Sequence, residues 1–299
     1  MTTLPRSHGP VRLSGARHHP HHRAAAVALT FLLCAHLVAA QTEPSLVSSP
    51  GRAEDVPFFT RLNRWRLAWI AGTDAWHHAG PAVAWVNLHD TRMSPIVYSG
   101  PGPSFLLTLD VQRQRWLALH AITGRYARVS GPPVLPAVFE SSSGEADAVL
   151  LRRFAAIGLA AGGGVRGALH ARTYPKLQNN AFSSDASVSL NAVGRWTLPF
   201  TLRSRSFAFH LRADAPLVAW ISRSPAYGVY GTASYWAPPT RYVRATVSTG
   251  LTWAMRHGPG NTARLTYVWD YYALDPFNGV YPLRVASHTL SLTLGTKVM

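Results

Sequence analysis

The chain has 299 residues, carries a formal net charge of +16 and is 47% hydrophobic. Its single cysteine, Cys34, lies among the first forty residues, so disulfides, thiolate metal sites and a cysteine nucleophile are excluded for the rest of the chain. The basic residues stand singly between apolar ones, in no run longer than Arg152-Arg153, which argues against nucleic acid as a partner.

The N-terminal forty residues have the three parts of a secretory signal peptide. Residues 1–23 carry four arginines and no acid, and residues 24–35 form an uncharged, mainly apolar run. Val38 and Ala40 then place small side chains before a cleavage point at Gln41. The apolar run is shorter than the roughly 20 residues that span a bilayer as a helix. We therefore predict a cleaved signal peptide over 1–40, followed by a periplasmic leader over 41–60.

From residue 61 onward, apolar and polar residues alternate with a period of two, which places one set on each face of a strand. The alternation is clearest in 182–197, 241–256, 263–272 and 289–298. Shorter or less regular candidate strands cover 61–72, 80–91, 104–111, 114–130, 147–160, 164–174 and 202–214. No stretch shows sustained helical spacing, so the predicted fold class is all-β.

Three features favour a membrane barrel over a soluble sheet. Several candidate strands reach about 15 residues, whereas globular strands usually have five or six. Aromatic residues stand near predicted strand ends, as interface girdles require; they are Trp65, Trp116, Tyr174, Trp196, Tyr242 and Trp253. The links between strands also alternate in length, as short periplasmic turns and longer outer loops do.

The links also bear on the strand number. The short links are 73–79, 111–114, 161–163, 197–201 and 257–261, and the long ones are 92–103, 131–146, 175–181, 215–240 and 275–283. They separate eleven strands, but a bacterial barrel with both termini in the periplasm needs an even number. Either 44–60 supplies a twelfth strand, or one of the two weakest candidates, 61–72 and 104–111, is not a strand. We predict a closed antiparallel transmembrane barrel over 61–299 with twelve strands, or alternatively ten.

Residues 90–100 read DTRMSPIVYSG, which resembles the D-T-x-x-S-P-x-x-Y-x-G signature of an uncharacterised outer-membrane barrel family of anaerobic Gram-negative bacteria, a domain of unknown function. Residues 215–228 and 267–290 contain further short stretches similar to that family. The resemblance covers most of 60–299. It implies an outer-membrane barrel and supplies no activity.

The polar faces of the strands share a charged character. The side chains expected to point into the lumen are Arg166, His170, Arg172, Asp185, Arg195, Arg212, Asp214, Arg244, Arg256, Arg264 and Asp270. One interpretation is an arginine-lined passage or pocket for a small anionic solute, since rings of charge set pore selectivity. The other is an Arg–Asp network that fills and braces a narrow barrel.

No catalytic residue, metal site or cofactor is assigned. Ser287 and His288 are adjacent and so point to opposite faces of a strand, while Ser206 and His210 are about 13 Å apart along one face. The histidines show no metal-ligand spacing.

We therefore predict a non-enzymatic integral protein of the outer membrane, surrounded by lipid, that is structural or passes or binds a small anionic solute. Two alternatives stay open. One is a lipid-modifying hydrolase or acyltransferase with a serine–histidine pair formed across strands. The other is a secreted soluble barrel or sandwich that hides its apolar face and binds a ligand.

Overall fold

The structure is a computed structural model, and it describes eight ranges of the chain. They are 74–91, 94–113, 115–132, 138–174, 182–224, 233–255, 260–275 and 282–298. The predicted signal peptide, the leader 41–60 and the candidate strand 61–72 lie outside these ranges.

The described residues are almost entirely extended. They form the strands β1 (Asp74–Asp90), β2 (Tyr98–Arg113), β3 (Trp116–Ser130), β4 (Val138–Phe154), β5 (Leu159–Thr173), β6 (Phe182–Leu202), β7 (Arg205–Arg223), β8 (Ala233–Ala237), β9 (Tyr242–Ala254), β10 (Thr262–Leu274) and β11 (Leu283–Val298). One turn of 3-10 helix, Ala155–Ile157, links β4 to β5. No described helix is long and apolar enough to cross a membrane.

Ten of these strands form a closed antiparallel ring. The strands β1 to β7 pair in chain order. In the ring, β7 then pairs with β9, and β9, β10 and β11 follow. Pairing between β1 and β11, with Trp85 opposite His288, closes it. The predicted closed antiparallel barrel is therefore confirmed, with ten strands in the ring, which is the second of the two numbers that the sequence allowed.

The five-residue strand β8 lies outside this ring and pairs with the far end of β7, where Arg223 stands opposite Ala233. The nearer part of β7 pairs with β9, up to Asp214 opposite Thr246. A turn follows β8, because the backbone N–H groups of Arg241 and Tyr242 both donate to the Pro238 carbonyl. The interpretation of 215–240 as one long loop was therefore wrong, since it contains the end of β7 and all of β8.

Several predicted links also belong to strands. Residues 74–79 lie in β1, 161–163 in β5 and 197–201 in β6. The β4–β5 turn falls instead at Gly158, whose φ of 67° is left-handed, where glycine has no steric penalty. Gly162 is needed for a different reason: a Cβ there would lie 2.2 Å from the Leu150 carbonyl oxygen of β4.

The barrel turns its apolar residues outward. Along β11, Leu290, Leu292 and Leu294 are 49–61% exposed, while Ser291 and Thr293, between them, are at most 2% exposed. A soluble barrel hides its apolar face, whereas a membrane barrel presents that face to lipid. The observed orientation is the one expected of a transmembrane barrel.

The two ends of the barrel differ. At the short-turn end lie the β2–β3, β4–β5, β6–β7 and β9–β10 connections; at the long-loop end lie the β1–β2, β3–β4, β5–β6 and β10–β11 connections and the segment around β8. Inside the long-loop end is a buried apolar group that we call the apolar cluster. Its members are Ala84, Val86, Leu88, Tyr98, Ala127, Val129, Phe139, Ala219, Ile221, Ala237, Tyr242, Tyr272, Leu274 and Leu283.

Contacts between aromatic rings hold the apolar cluster together. The Phe139 ring lies 4.3 Å from that of Tyr98, edge to face, and 4.4 Å from that of Tyr174. Tyr242 belongs to the same cluster, so placing Tyr174 and Tyr242 in an outer aromatic girdle was wrong. Trp116 and Trp196 do face outward, with 47% and 37% exposure. Trp65 lies outside the described residues.

Replacing Phe139 by Ala should lower the free energy of unfolding by about 3 kcal/mol, because it leaves a cavity between Tyr98 and Tyr174. Urea unfolding of the detergent-solubilised barrel measures the change. Trp236→Ala is the control, since Trp236 is 70% exposed on β8. Equal losses in the two variants would contradict a stabilising role for the apolar cluster.

Candidate functional site

Ion pairs fill the middle of the barrel. Among the described residues, eight arginines and seven carboxylates pair there, and we call them the lumen network: Arg125, Arg166, Arg172, Arg195, Arg212, Arg223, Arg244 and Arg264 with Asp90, Asp110, Glu145, Asp147, Asp185, Asp214 and Asp270. They come from nine strands of the ring, at the inward positions that strand alternation gives them. From the long-loop end to the short-turn end, the pairs form four layers.

The first layer lies at the long-loop end, since Asp90 comes two residues after Leu88 of the apolar cluster on β1, and Arg223 two residues after Ile221 on β7. Arg223 donates to Asp90 at 3.0 Å, and Arg172 pairs with both Asp90 and Asp185. Arg172 also donates to the Tyr272 hydroxyl at 2.7 Å. All four charged side chains are at most 3% exposed.

The second layer joins four strands of the ring. Arg244 binds Asp270 through two hydrogen bonds of 2.9 and 3.0 Å and also reaches Glu145 on β4. Arg125 of β3 pairs with the same Glu145 and Asp270. Two arginines and two carboxylates therefore bridge β3, β4, β9 and β10.

The third layer has the same composition. Arg212 donates to Asp147 at 2.7 Å and to its neighbour Asp214 at 2.8 Å, while Arg166 pairs with both carboxylates. Arg166 also donates to the Thr246 hydroxyl at 2.8 Å, and Thr246 donates to Asp270. That threonine connects the third layer to the second.

The fourth layer, nearest the short-turn end, contains one carboxylate. Asp110 accepts hydrogen bonds from Arg264 at 2.8 Å and from Arg195 at 3.3 Å, both on the same oxygen. His210 lies beside Arg195, with its Nδ1 3.2 Å from the guanidinium. A cavity of about 160 Å³ adjoins this layer and extends past the third to the second.

The network is close to neutral, since its eight arginines exceed its carboxylates by one. Isolated charges in a low-dielectric interior are costly, and removing one partner of a buried pair leaves that cost uncompensated. Chemically, the arrangement can hold strands together, and its cavity can hold a small polar ligand.

Ten of the eleven side chains expected in the lumen lie on the interior face. Nine belong to the lumen network, and the tenth, His170, packs its ring 4.6 Å from that of Tyr272. Arg256 lies outside the described residues. Sequence reasoning missed Asp90, Asp110, Arg125, Glu145, Asp147 and Arg223, which are charged positions of strands that alternate less cleanly or of segments interpreted as links.

The residues of the D-T-x-x-S-P-x-x-Y-x-G stretch have local structural roles. The Ser94 N–H donates to the Asp90 carbonyl at 2.9 Å, and the Tyr98 hydroxyl donates to Ser94 Oγ at 2.9 Å. The Thr91 hydroxyl donates to the Pro282 carbonyl, which ties the β1–β2 connection to the start of β11. The described residues of this stretch therefore fix the end of β1, where Asp90 takes part in the first layer.

The serine–histidine combinations considered from the sequence do not come together. Ser287 is 2% exposed in the interior, where Arg125 donates to its hydroxyl, whereas His288 faces outward and contacts the Tyr267 hydroxyl at 2.6 Å. His210 contacts the threonine hydroxyls of Thr197 and Thr252. The described residues contain no group of three or more side chains that could hold a metal ion.

A second, exposed ion pair lies at the long-loop end, outside the ring. Asp275 accepts hydrogen bonds from Arg241 at 2.9 Å and from the Tyr235 hydroxyl at 3.0 Å, and the Arg241 guanidinium covers the Tyr235 ring. This outer clamp joins β8 to the start of β9 and the end of β10. Partial burial raises the pKa of the Tyr235 phenol, and the adjacent Asp275 carboxylate raises it further.

The fold and its interior define a class: a closed up-and-down barrel, apolar outside and ion-paired inside. No protein-family model matches the chain, and no curated protein is similar to it in sequence. Several solved structures are similar to it at low sequence identity. The translocator domain of the autotransporter NalP from Neisseria meningitidis has a TM-score of 0.40 at 9% identity, over 93% of this chain and 98% of that domain.

Two further solved barrels are similar at the same low level. Neisserial surface protein A has a TM-score of 0.33 at 13% identity, over 75% of this chain and 97% of its own. An outer membrane channel from Pseudomonas putida F1 has a TM-score of 0.31 at 10% identity, over 84% of this chain and all of its own. Scores of this size assign neither a family nor an activity.

Replacing Arg244 by Ala should lower the free energy of unfolding by about 3 kcal/mol, since Glu145 and Asp270 would lose a buried partner. The matched control is Arg241→Ala, whose pair with Asp275 is 52% exposed on the arginine side and should cost under about 1 kcal/mol. Chemical unfolding in detergent gives both values. A control loss as large as that of Arg244→Ala would contradict the bracing role.

The Asp275→Asn variant should lower the Tyr235 pKa towards its ordinary value, although burial keeps part of the shift. Ultraviolet titration, with Tyr235→Phe subtracted to isolate this phenol, measures the change. Because the folded chain holds the phenol protonated to higher pH than the unfolded chain does, its contribution to stability is present below about pH 10 and is lost as pH rises further. An unchanged titration would rule out the Asp275 contact as a cause.

Proposed function

We propose that this protein is an integral, non-enzymatic barrel of a Gram-negative outer membrane, whose interior is a salt-bridged brace and not an open anion passage. Its immediate partner is then the membrane lipid around its outward apolar face. The observation that carries the proposal is the pairing of seven carboxylates with eight arginines across the lumen, with nearly every charge compensated inside the protein.

The membrane assignment is supported by the orientation of the two faces. Large apolar side chains from most strands of the ring are exposed on the outside, including Val83, Leu190, Leu265 and Leu292. Serines, threonines and ion pairs face inward. This orientation disfavours the soluble alternative, which needs the apolar face turned inward.

The closed interior is supported by the apolar cluster and the first layer of the lumen network at the same end of the barrel. Tyr98, Phe139 and Tyr242 are at most 3% exposed at the long-loop end, and the buried ion pairs of Asp90 lie at the same end. An anion passage needs a continuous aqueous path, and rings of positive charge set its selectivity. Here internal ion pairs neutralise nearly all of the arginine charge in the lumen. We therefore favour the brace over the electropositive passage that the sequence also allowed.

A scaffold of this kind holds the strand ends that flank its long-loop connections in fixed positions at one membrane surface. The ion pairs link strands that are far apart in the chain, such as those of Asp90 and Arg223 and those of Arg125 and Asp270. Those cross-links give a narrow barrel rigidity that its apolar exterior cannot supply, because lipid contacts on that face are non-directional. Presentation of the loops is accordingly the role we assign to the barrel.

The full chain, extracted from membranes and reconstituted into planar bilayers, should give no steady conductance. Replacing Tyr98 and Phe139 together by Ala should create conductance, because it removes the edge-to-face rings that fill the long-loop end. A heat-modifiable gel shift confirms folding of both proteins. Trp236→Ala, on exposed β8, is the control and should stay silent.

Two results would contradict the proposal. Steady, anion-selective conductance of the unmodified barrel would replace the brace with a passage. Recovery of the chain in a soluble fraction without detergent would exclude the membrane assignment altogether.

A further inference from the structure

The four layers of the lumen network are not equivalent in charge. In the first three layers two arginines face two carboxylates, whereas in the fourth both Arg195 and Arg264 bind the single carboxylate of Asp110. These three side chains are only 10–13% exposed. The whole excess of one positive charge in the network is thus concentrated at one place.

Neighbouring groups do not cancel this charge. The carboxylates of the next layer, Asp147 and Asp214, are already bound by Arg166 and Arg212. His210 does not change the balance: a guanidinium only donates, so the Nδ1 atom facing Arg195 accepts and the ring is neutral. Its Nε2–H then points to the Thr252 hydroxyl at 3.1 Å.

The fourth layer also borders open space. Asp110, Arg195 and Arg264 line the cavity of about 160 Å³, and so do Thr108 and Thr266. The hydroxyl oxygens of those two threonines are buried and have no hydrogen-bond partner within the part of the chain that the structure describes. Both hydroxyls can donate to a negatively charged group, as the two guanidinium groups can.

We propose that the cavity binds one small monovalent inorganic anion beside Arg195 and Arg264, with the Thr108 and Thr266 hydroxyls as further donors. One negative charge balances the layer, while a divalent anion would replace an excess of one positive charge by an excess of one negative charge. Uncompensated charge in such an interior is costly, so anion binding stabilises the fold. The inference rests on the proposed closed barrel, because an open passage would screen the excess charge with electrolyte.

Chloride is the probe. The full chain in detergent is unfolded thermally in mixtures of sodium chloride and sodium gluconate at constant ionic strength, so that general screening is the same throughout. The midpoint should rise along a saturating curve by about 5 °C. Bromide and nitrate should act like chloride, whereas gluconate, which is larger, and sulfate, which is divalent, should not.

Arg264→Gln should abolish the chloride response, because it leaves one arginine facing one carboxylate. Asp110→Asn should strengthen the response, because it raises the excess to two charges. The control is Arg241→Gln at the long-loop end, where the arginine is 52% exposed, and its response should match that of the unmodified protein. Line broadening of chloride-35 resonances by the unmodified protein, reversed by nitrate, reports binding even if a variant does not fold.

An unmodified protein without a chloride response and without line broadening would overturn the inference, and so would an equal response in Arg264→Gln. The bilayer measurement separates this outcome from failure of the proposed function. A silent barrel without chloride binding removes only the anion site. A conducting barrel removes the closed interior on which the site rests.

Discussion

The requirement that buried arginines be paired governs the rest of this structure. Once the apolar residues face outward, the polar face of every strand is enclosed, and its charges can no longer be solvated freely. Arg244 illustrates the result, since at 4% exposure it binds both Asp270 and Glu145. Pairs of this kind join strands that the hydrogen-bond ladder does not, such as β2 with β6 through Asp110 and Arg195. Ring closure and interior charge balance are therefore two aspects of one constraint.

The pairing of buried charges also affects how the basic composition is interpreted. The chain carries +16 overall, yet its lumen network carries a single excess charge. Much of the remaining positive charge of the described residues lies at the short-turn end, where Arg113, Arg115, Arg152, Arg203 and Arg205 are exposed near the strand ends. A basic composition alone therefore does not indicate an electropositive lumen, because Asp90, Asp110, Glu145 and Asp147 are placed to neutralise it.

Strand alternation predicted the fold well where it was strict. In β6, β9, β10 and β11 it identified both the strand and its inward face. It failed in β4, where residues 140–147 are mostly small or polar on both faces, and in β7, where Leu217 and Val218 are both exposed and shift the period. Strand alternation could not predict the ion-pair partners. A period of two assigns Asp90 to a face but does not indicate that it pairs with Arg223, 133 positions away.

The division of one edge of β7 between β8 and β9 has a mechanical consequence. Only eight residue pairs join β7 to β9, whereas 18 join β6 to β7 and 13 join β9 to β10. A lateral force on the wall therefore meets least resistance at this seam, and the ring would part there before anywhere on either side of it. Because β8 is short and outside the ring, it leaves part of that edge of β7 open to exchange with another extended segment.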